Sequence, residues 1–414
     1  MNKDTRNYIL MFWDPISFVA AMAFISINAV IPNFLNQLGA SAFQISLASA
    51  LCSIGPFLAQ PIFAQAAMGT PLKSRAFSRL LFTQRFLFLS YVILIPIIYK
   101  HLPGVSVVIF LLIWGIYNIF VGSYSPFYMS VLAKVIPGNQ RGRLQGYATA
   151  AGNILALGSA FLVGVFLKKF SFPYNYAWIF GTGTFLLILN AWGFALIKEN
   201  PDQTEKKAIN YFKYIREIPH ALKTNKTYAT AILGNCFHAI ANVALSFYTL
   251  NAIRNFEIGA EQIALFAGIG VLVNIFGSAI FGVIGDKIGH RHVLMITATL
   301  GIIAPVLALS IHSLTMIYIS FAMSSLASGG YSLSSGVNII NHSPEAEVPL
   351  YVSMNTMLTF IASSVVTLIA GALIDIFSFS PLFVFTAVSG FISLLIFRSS
   401  DRGKDVIQVN RKGK

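Results

Sequence analysis

The chain has 414 residues, 56% of them hydrophobic and only 10% charged, with a mean hydropathy of +0.73. A soluble domain carries about 25% charged residues, so this chain has too little polar surface to cover soluble domains of the same total length, and the bilayer must be the solvent for most side chains. The net charge of +14 is accounted for by inner loops facing anionic headgroups; membrane lipid is the expected partner of these cations, and no nucleic acid is needed to explain them.

A helix needs about 20 apolar residues to cross a hydrocarbon core of about 30 Å. Runs of that length occur at 13 to 38, 43 to 67, 77 to 99, 104 to 132, 144 to 167 and 175 to 197, and again at 227 to 251, 261 to 284, 293 to 311, 314 to 340, 351 to 376 and 380 to 397. The first is too long for a signal-peptide core and lacks a cleavage pattern, so it reads as a retained helix. Ionisable groups inside a span are costly and are functional candidates by default. Asp14 lies at the inner end of the first run and Arg85 about two turns into the third, at similar depth. They read either as an ion-coupling pair, the acid changing protonation as its surroundings alternate between wet and dry, or as an Arg that snorkels to the interface and an Asp that opens its helix beside Pro15. Cys52 and Cys236 both fall inside spans, which argues against a disulfide framework.

The longest polar stretch, Lys198 to Lys226, separates the two sets of six runs. Within it "AINYFKYIREI" places Ile209, Phe212 and Ile215 on one face, the pattern of a short helix lying on the membrane surface. The sequon at Asn225 falls on the expected cytoplasmic side and reads as chance. His238 lies midway along the seventh run between Asn235 and Asn242, a polar stripe on one helix face; it reads equally as a substrate or proton group and as a satisfied core histidine. Asp375, at the outer end of the eleventh run, reads as an interfacial residue. The expected organisation is an N-terminal six-helix bundle at 1–197, a cytoplasmic linker at 198–226, a C-terminal six-helix bundle at 227–398 and a basic cytoplasmic tail at 399–414. With both termini inside, the outer loops hold only Lys100, Lys168, Lys169 and Arg254 of the 28 basic residues, which fits retention of Lys and Arg on the cytoplasmic side of a cell membrane.

The two halves repeat each other at matching places, as an internal duplication should. "GASAFQI" from Gly39 matches "GAEQI" from Gly259, and "GTPLKSR" from Gly69 matches "GDKIGHR" from Gly285. "GSYSPFYMSVLAKVIP" matches "GGYSLSSGVNIINHSP", aligning Tyr124 with Tyr331 and Pro137 with Pro344. The stretch "GVIGDKIGHRH" contributes Gly282, Gly285, Asp286, Lys287, Gly289 and Arg291. Its glycines permit a tight turn, its acid suits a helix N-terminus, and Arg291 can pair with a carboxylate or a carbonyl. His290 and His292, with no Cys and no acid beyond Asp286, make a poor metal site, and no metal is expected. The first-half copy has Thr70 in place of the acid and lacks the middle glycine, but keeps Lys73 and Arg75. "VIPGNQRGRLQG" adds Arg141 and Arg143, whereas its counterpart "SPEAEVPLY" carries Glu345 and Glu347. Those opposite signs read as ion pairs between the halves or as separately solvated charges.

The glycine-framed acid-and-base turn, together with "VIPGNQRGRLQG", resembles the major facilitator superfamily. The resemblance implies an all-α integral membrane protein, with 12 transmembrane helices in two pseudo-symmetric six-helix bundles that work by alternating access. Its opening "NYILMFWDPISFVAAMAFISINAVIPNFLNQLGAS" is similar to bacterial permeases of unassigned or drug-efflux-like type. The family likeness makes Gly282, Gly285, Asp286, Lys287, Gly289 and Arg291, with Arg75, Arg141 and Arg143, a conformational latch on the cytoplasmic face. The missing first-half acid makes that latch lopsided. The family lines its cavity with the first, fourth, seventh and tenth helices, which here offer Phe24, Asn28, Trp114, Asn118, Tyr124, Asn235, His238, Asn242, Phe247, Tyr331 and Asn338. Such Asn and aromatic side chains hold a neutral or amphipathic molecule, or serve as glue between helices.

No phosphate-binding loop and no catalytic constellation is present in the sequence, so neither enzyme chemistry nor a cofactor is expected. The expectation is a secondary active transporter, acting as a monomer, that exports a small neutral or amphipathic molecule at the expense of a proton or other ion gradient. Uptake symport of a sugar, nucleoside or similar metabolite is the alternative. The fifth run has Gly146, Gly152, Gly158 and Gly164 but not the proline of drug/proton antiporters, which weakens export, and no carboxylate lies deep in the first or fourth run as in proton symporters, which weakens proton coupling. A non-transporting sensor that keeps the fold is the third reading.

Overall fold

The computed structural model describes residues 2–201, 219, 222–256, 258–309, 313–343 and 348–399. Among these, all regular structure is helical, as it must be where no water is present to satisfy backbone groups outside a helix or a closed barrel. The helices are α1 (Lys3–Phe24), α2 (Val30–Gln37), α3 (Ala42–Gly69), α4 (Lys73–His101), α5 (Ser106–Val121), α6 (Tyr124–Val135), α7 (Gly138–Lys169) and α8 (Tyr174–Leu196) in the first half. The second half has α9 (Lys226–Ala241), α10 (Leu245–Phe256), α11 (Ala260–Ile288), α12 (His290–Leu309), α13 (Leu314–Asn341), α14 (Val348–Ile376) and α15 (Ser380–Ser399). Eleven crossings pass on length and hydropathy. The other expected run, α13, has ample length at 28 residues, but its sequence "SSLASGGYSLSSG" dilutes the apolar content.

Two features differ from the sequence expectation. The first helix begins at Lys3 rather than near residue 13, because its polar start finds partners at the end of α8. Arg6 Nη2 donates to the Leu196 carbonyl at 2.6 Å, Asn7 Nδ2 donates to the Lys198 carbonyl at 2.8 Å, and Lys3 Nζ donates to Asn200 Oδ1 at 2.9 Å. The first, fourth and seventh crossings are each interrupted, at 25–29, at 122–123 and by a 3-10 turn at Asn242–Ala244. Pro32 lies in the first turn of α2 and Pro126 in that of α6, where a missing N–H costs nothing; the chain can therefore restart a helix there. The expected surface helix around 209–216, the tail from 400 and the acids Glu345 and Glu347 lie outside the described residues.

The chain divides into two compact units. One comprises residues 1–209, 246–275 and 367–378, the other 210–245, 276–366 and 379–414. In the first unit α1 packs on α7 and α8, α4 on α8 and α3 on α5. An aromatic column fills its interior: Phe34 lies against Phe110, Tyr176 and Phe180, and Phe88 against Trp114 and Tyr117. Nearer the start of α1, Phe77 packs on Tyr124, Phe127 and Phe194. The opposite end of this unit carries the turns at 38–41, 102–105 and 170–173 and is called distal below. In the second unit α12 packs on α13 and α15, and α9 on α15.

Candidate functional site

A closed polar hub lies inside the first unit. Asp14 and Arg85 are each 2% exposed, and Asn190 of α8 stands between them. Arg85 Nη2 donates to Asn190 Oδ1 at 2.8 Å, and Asn190 Nδ2 in turn donates to Asp14 Oδ1 at 2.6 Å. The Tyr124 hydroxyl donates to the other carboxylate oxygen at 2.7 Å. Asn190 Nδ2 also reaches the Asp14 carbonyl and Ser17 Oγ, both at 3.1 Å. Arg85 Nε and Nη1 are buried without a hydrogen-bond partner. Arg85 thus turns into the bundle instead of reaching the membrane surface, and Asp14 lies well inside α1 rather than at its start. The arrangement puts an acid, a base and a phenol in one dry compartment, where gain or loss of a single proton changes the balance of the whole network.

The second unit holds a different cluster. His238 of α9 is 1% exposed, neither ring nitrogen has a partner, and its ring stacks on that of Tyr331 of α13 at 4.3 Å between centroids. One turn earlier, Asn235 Nδ2 donates to Asn355 Oδ1 of α14 at 2.8 Å, while Asn235 Oδ1 is buried without a partner. Unpartnered polar atoms in an apolar interior cost about 1–3 kcal/mol each, a cost that a hydrogen bond to His238 or Asn235 would relieve. Asn242 is half-buried where α9 gives way to its 3-10 turn, and the Asn338 carbonyl bonds with His342 Nδ1 at 2.7 Å.

The remaining cavity candidates divide by what they touch. Trp114 Nε1 donates to the Ala48 carbonyl at 3.0 Å, and Asn118 Nδ2 donates to the Trp114 carbonyl at 2.8 Å. The first bond joins α5 to α3, and the second lies within α5. Phe24 and Phe247 are 1% exposed. Asn28 sits in the break between α1 and α2, where its carbonyl accepts from the Thr249 hydroxyl at 2.6 Å and its Oδ1 from the Ser246 hydroxyl at 3.0 Å.

The glycine-rich turn is tighter than a loop. Gly289, at φ +95°, is the one residue between α11 and α12, a left-handed conformation that favours glycine. The His290 ring lies against Gly285 and its Nδ1 is 3.1 Å from Ser334 Oγ. Arg291 Nε donates to the Phe397 carbonyl at 2.8 Å and Nη2 to the Arg398 carbonyl at 2.6 Å, so it caps the end of α15. Lys287 is exposed, Gly282 half-buried, and the Asp286 side chain lies outside the described residues. Arg141 caps its own bundle, donating to the Ile136 and Ala133 carbonyls at 2.9 and 2.6 Å. Arg75 and Arg143 are exposed.

Sequence reasoning overlooked two residues. Asn190 stands in the sixth crossing, outside the helices expected to line a cavity, and its only signal was being a lone amide in the middle of "TFLLILNAWGF". Glu199 looked like a solvated linker residue, yet its side chain is 1% exposed. It accepts from the Ser74 N–H at the start of α4 at 2.6 Å and forms an ion pair with Lys134 Nζ at 3.2 Å. The first half thus places an acid on the helix that follows its damaged turn, supplied from a different point in the chain.

The sequence matches the family model described as Major Facilitator Superfamily over residues 15–251 and again over 229–413. The chain belongs to the major facilitator superfamily. Solved structures with the same fold include a D-xylose-proton symporter at TM-score 0.70 and 14% identity, covering 96% of this chain and 98% of that one. The nucleoside transporter NupG aligns at TM-score 0.73 and 11% identity, covering 97% and 100%. A bacterial homologue of the human lysosomal transporter Spinster aligns at 0.65 and 16%, covering 97% and 96%. A search of curated proteins returned no match. This major facilitator protein is accordingly an all-α, multi-pass secondary transporter of a small molecule.

Proposed function

We propose that this transporter couples movement of a small neutral molecule to protons, with Asp14 as the proton-carrying group and both termini in the cytoplasm. The observation that carries the proposal is the Asp14 carboxylate, sealed inside the first unit, with its two oxygens held by the neutral side chains of Asn190 and Tyr124. Rearranging that network changes the balance between the charged and neutral forms of such a carboxylate, a dependence that alternating access can exploit. The expected test is flux in proteoliposomes under an imposed pH gradient, with the cargo found by thermal-shift screening of the purified protein. Asp14→Asn should still bind cargo yet lose gradient-driven accumulation. Full gradient-driven flux in that variant would overturn the proposal.

Export of an amphipathic molecule is the direction expected from an aromatic, uncharged cavity. Uptake of a polar metabolite gains specific support from two observations. Trp114 and Asn118 are withdrawn into helix packing, while within the second unit His238 and Asn235 keep unpartnered polar atoms beside Tyr331. The fold neighbours named for D-xylose and for nucleosides carry cargo of that kind. Accumulation inside vesicles with acid outside marks symport, and proton-driven loss of preloaded cargo marks export. The glycine-rich turn with Asp286 remains the proposed latch on the cytoplasmic face.

A further inference from the structure

Three contacts at the distal end of the first unit join crossings from opposite halves of the chain. Asn28 meets Ser246 and Thr249, which joins the first crossing to the seventh. Lys168 of α7 pairs with Glu261 of α11, side chains 57% and 70% exposed, so water weakens this pair. The third contact joins α3, the second crossing, to α14, the eleventh.

The start of α3 is built to receive an anion, and it has one. Ser41 and Gln44 form a reciprocal capping box, Ser41 Oγ accepting from the Gln44 N–H and Gln44 Oε1 from the Ser41 N–H. That leaves the Ala42 and Phe43 N–H groups without intrahelical partners. The carboxylate of Asp375, in the last turn of α14, takes both: Oδ1 accepts from Ala42 and Oδ2 from Phe43, each at 2.8 Å. Arg254 Nη1 braces Oδ1 from 3.4 Å. One turn further in, Gly371 allows the two helices to touch. A Cβ there would lie 2.0 Å from Ser46 Oγ, 2.5 Å from Ser46 Cβ and 2.9 Å from the Ala42 carbonyl oxygen. Rotating the Ser46 hydroxyl away would leave the other two clashes in place.

We propose that Asp375, seated on the N-terminus of α3, braced by Arg254 and backed by the Gly371–Ser46 contact, is the latch that holds the distal gate closed. Alternating access requires the distal ends of the two halves to part, and every contact described above must then break. Asp375 resists most, because its two bonds are charge-assisted and lie at the positive end of a helix dipole. The same α3 carries no acid along its length and is followed by Thr70, where the second-half turn has Asp286. The acid of this helix pair therefore works at the distal end, and the resting protein is biased towards the distal-closed state. Reading Asp375 merely as an interfacial residue misses the two backbone N–H groups that fill its oxygens.

The test is a spin-label distance measurement between Gln37→Cys and Ser378→Cys, both exposed at the distal end, in a Cys52→Ser, Cys236→Ser background. Wild type should give mainly the short distance. Asp375→Ala should raise the ratio of open to closed population about fivefold, and Asp375→Asn, which keeps the shape and an acceptor, should raise it less. Gly371→Ala leaves the carboxylate intact and should open the same end by steric wedging. An Asp375→Asn or Asp375→Ala distribution identical to wild type would overturn the proposal. So would opening by Gly371→Ala alone, since the closure would then be steric.

Discussion

Asn190→Leu tests whether one amide holds the Asp14 hub together. Leucine keeps the branching and the number of heavy atoms, so no cavity forms at this 1% exposed site and the loss is mainly polar. Four hydrogen bonds disappear: one from Arg85, and those to Asp14 Oδ1, the Asp14 carbonyl and Ser17. At about 0.6 kcal/mol per side-chain hydrogen bond inside a membrane protein, these sum to about 2 kcal/mol. The change also strips Arg85 of its Nη2 bond while Nε and Nη1 already lack partners, at a further cost of about 1–3 kcal/mol. Tyr124 still holds the second Asp14 oxygen, so the upper end of that range is not reached. The expected loss is about 3 kcal/mol, read by equilibrium unfolding of the purified protein in an SDS titration. Asn190→Asp retains an acceptor for Arg85 but sets a second carboxylate against Asp14 Oδ1, so one of the two acids must take a proton, and gradient-driven flux should fall in both variants. A loss below about 1 kcal/mol for Asn190→Leu would refute the view that this amide organises the hub.

Four further outcomes are expected. Glu199→Ala removes a buried partner of Lys134 and the acceptor of the Ser74 N–H; it should cost about 2 kcal/mol in the same unfolding assay, and Glu199→Gln less. Gly289→Ala meets only His292 Nδ1 at 3.8 Å, so its cost of about 1–2 kcal/mol should come from the left-handed backbone alone. Trp114→Phe loses the bond to the Ala48 carbonyl and should lower the unfolding free energy by about 1 kcal/mol while leaving the cargo KM unchanged, because that side chain packs α5 on α3. Asp286→Asn should reduce transport and shift spin-label populations towards the inward-open state, whereas Thr70→Asp should favour outward-open; unchanged populations in Asp286→Asn would remove the latch at the glycine-rich turn.

The crossings were legible in the sequence because lipid leaves the backbone so few options. A run of apolar residues long enough to cross has to be a helix, and the polar segments between runs mark the turns. The repeat was legible for a related reason: the turn after the second crossing and the turn after the eighth solve the same geometric problem with the same residue types. The interruption at 25–29 was not, since "ISINA" contains neither Gly nor Pro, and the Asn28 carbonyl and side chain there are held by Thr249 and Ser246 from far along the chain. Arg85 shows the same limit. A guanidinium about two turns into a helix can snorkel or turn inward, and the choice rests on an amide that follows it by more than a hundred residues.

Composition and hydrophobic period depend on each residue and its near neighbours, and they were enough to establish the membrane class and the helical fold, while the short motifs at matching turns carried the repeat and the family resemblance. The pairing of polar side chains depends on which helices meet. That pairing placed Asn190 between Asp14 and Arg85, seated Glu199 on α4, turned Arg291 onto the end of α15, and brought Asp375 to the first turn of α3. In each case the partners lie on different elements, so no window along the chain contains both, and their meeting had to await the packed structure.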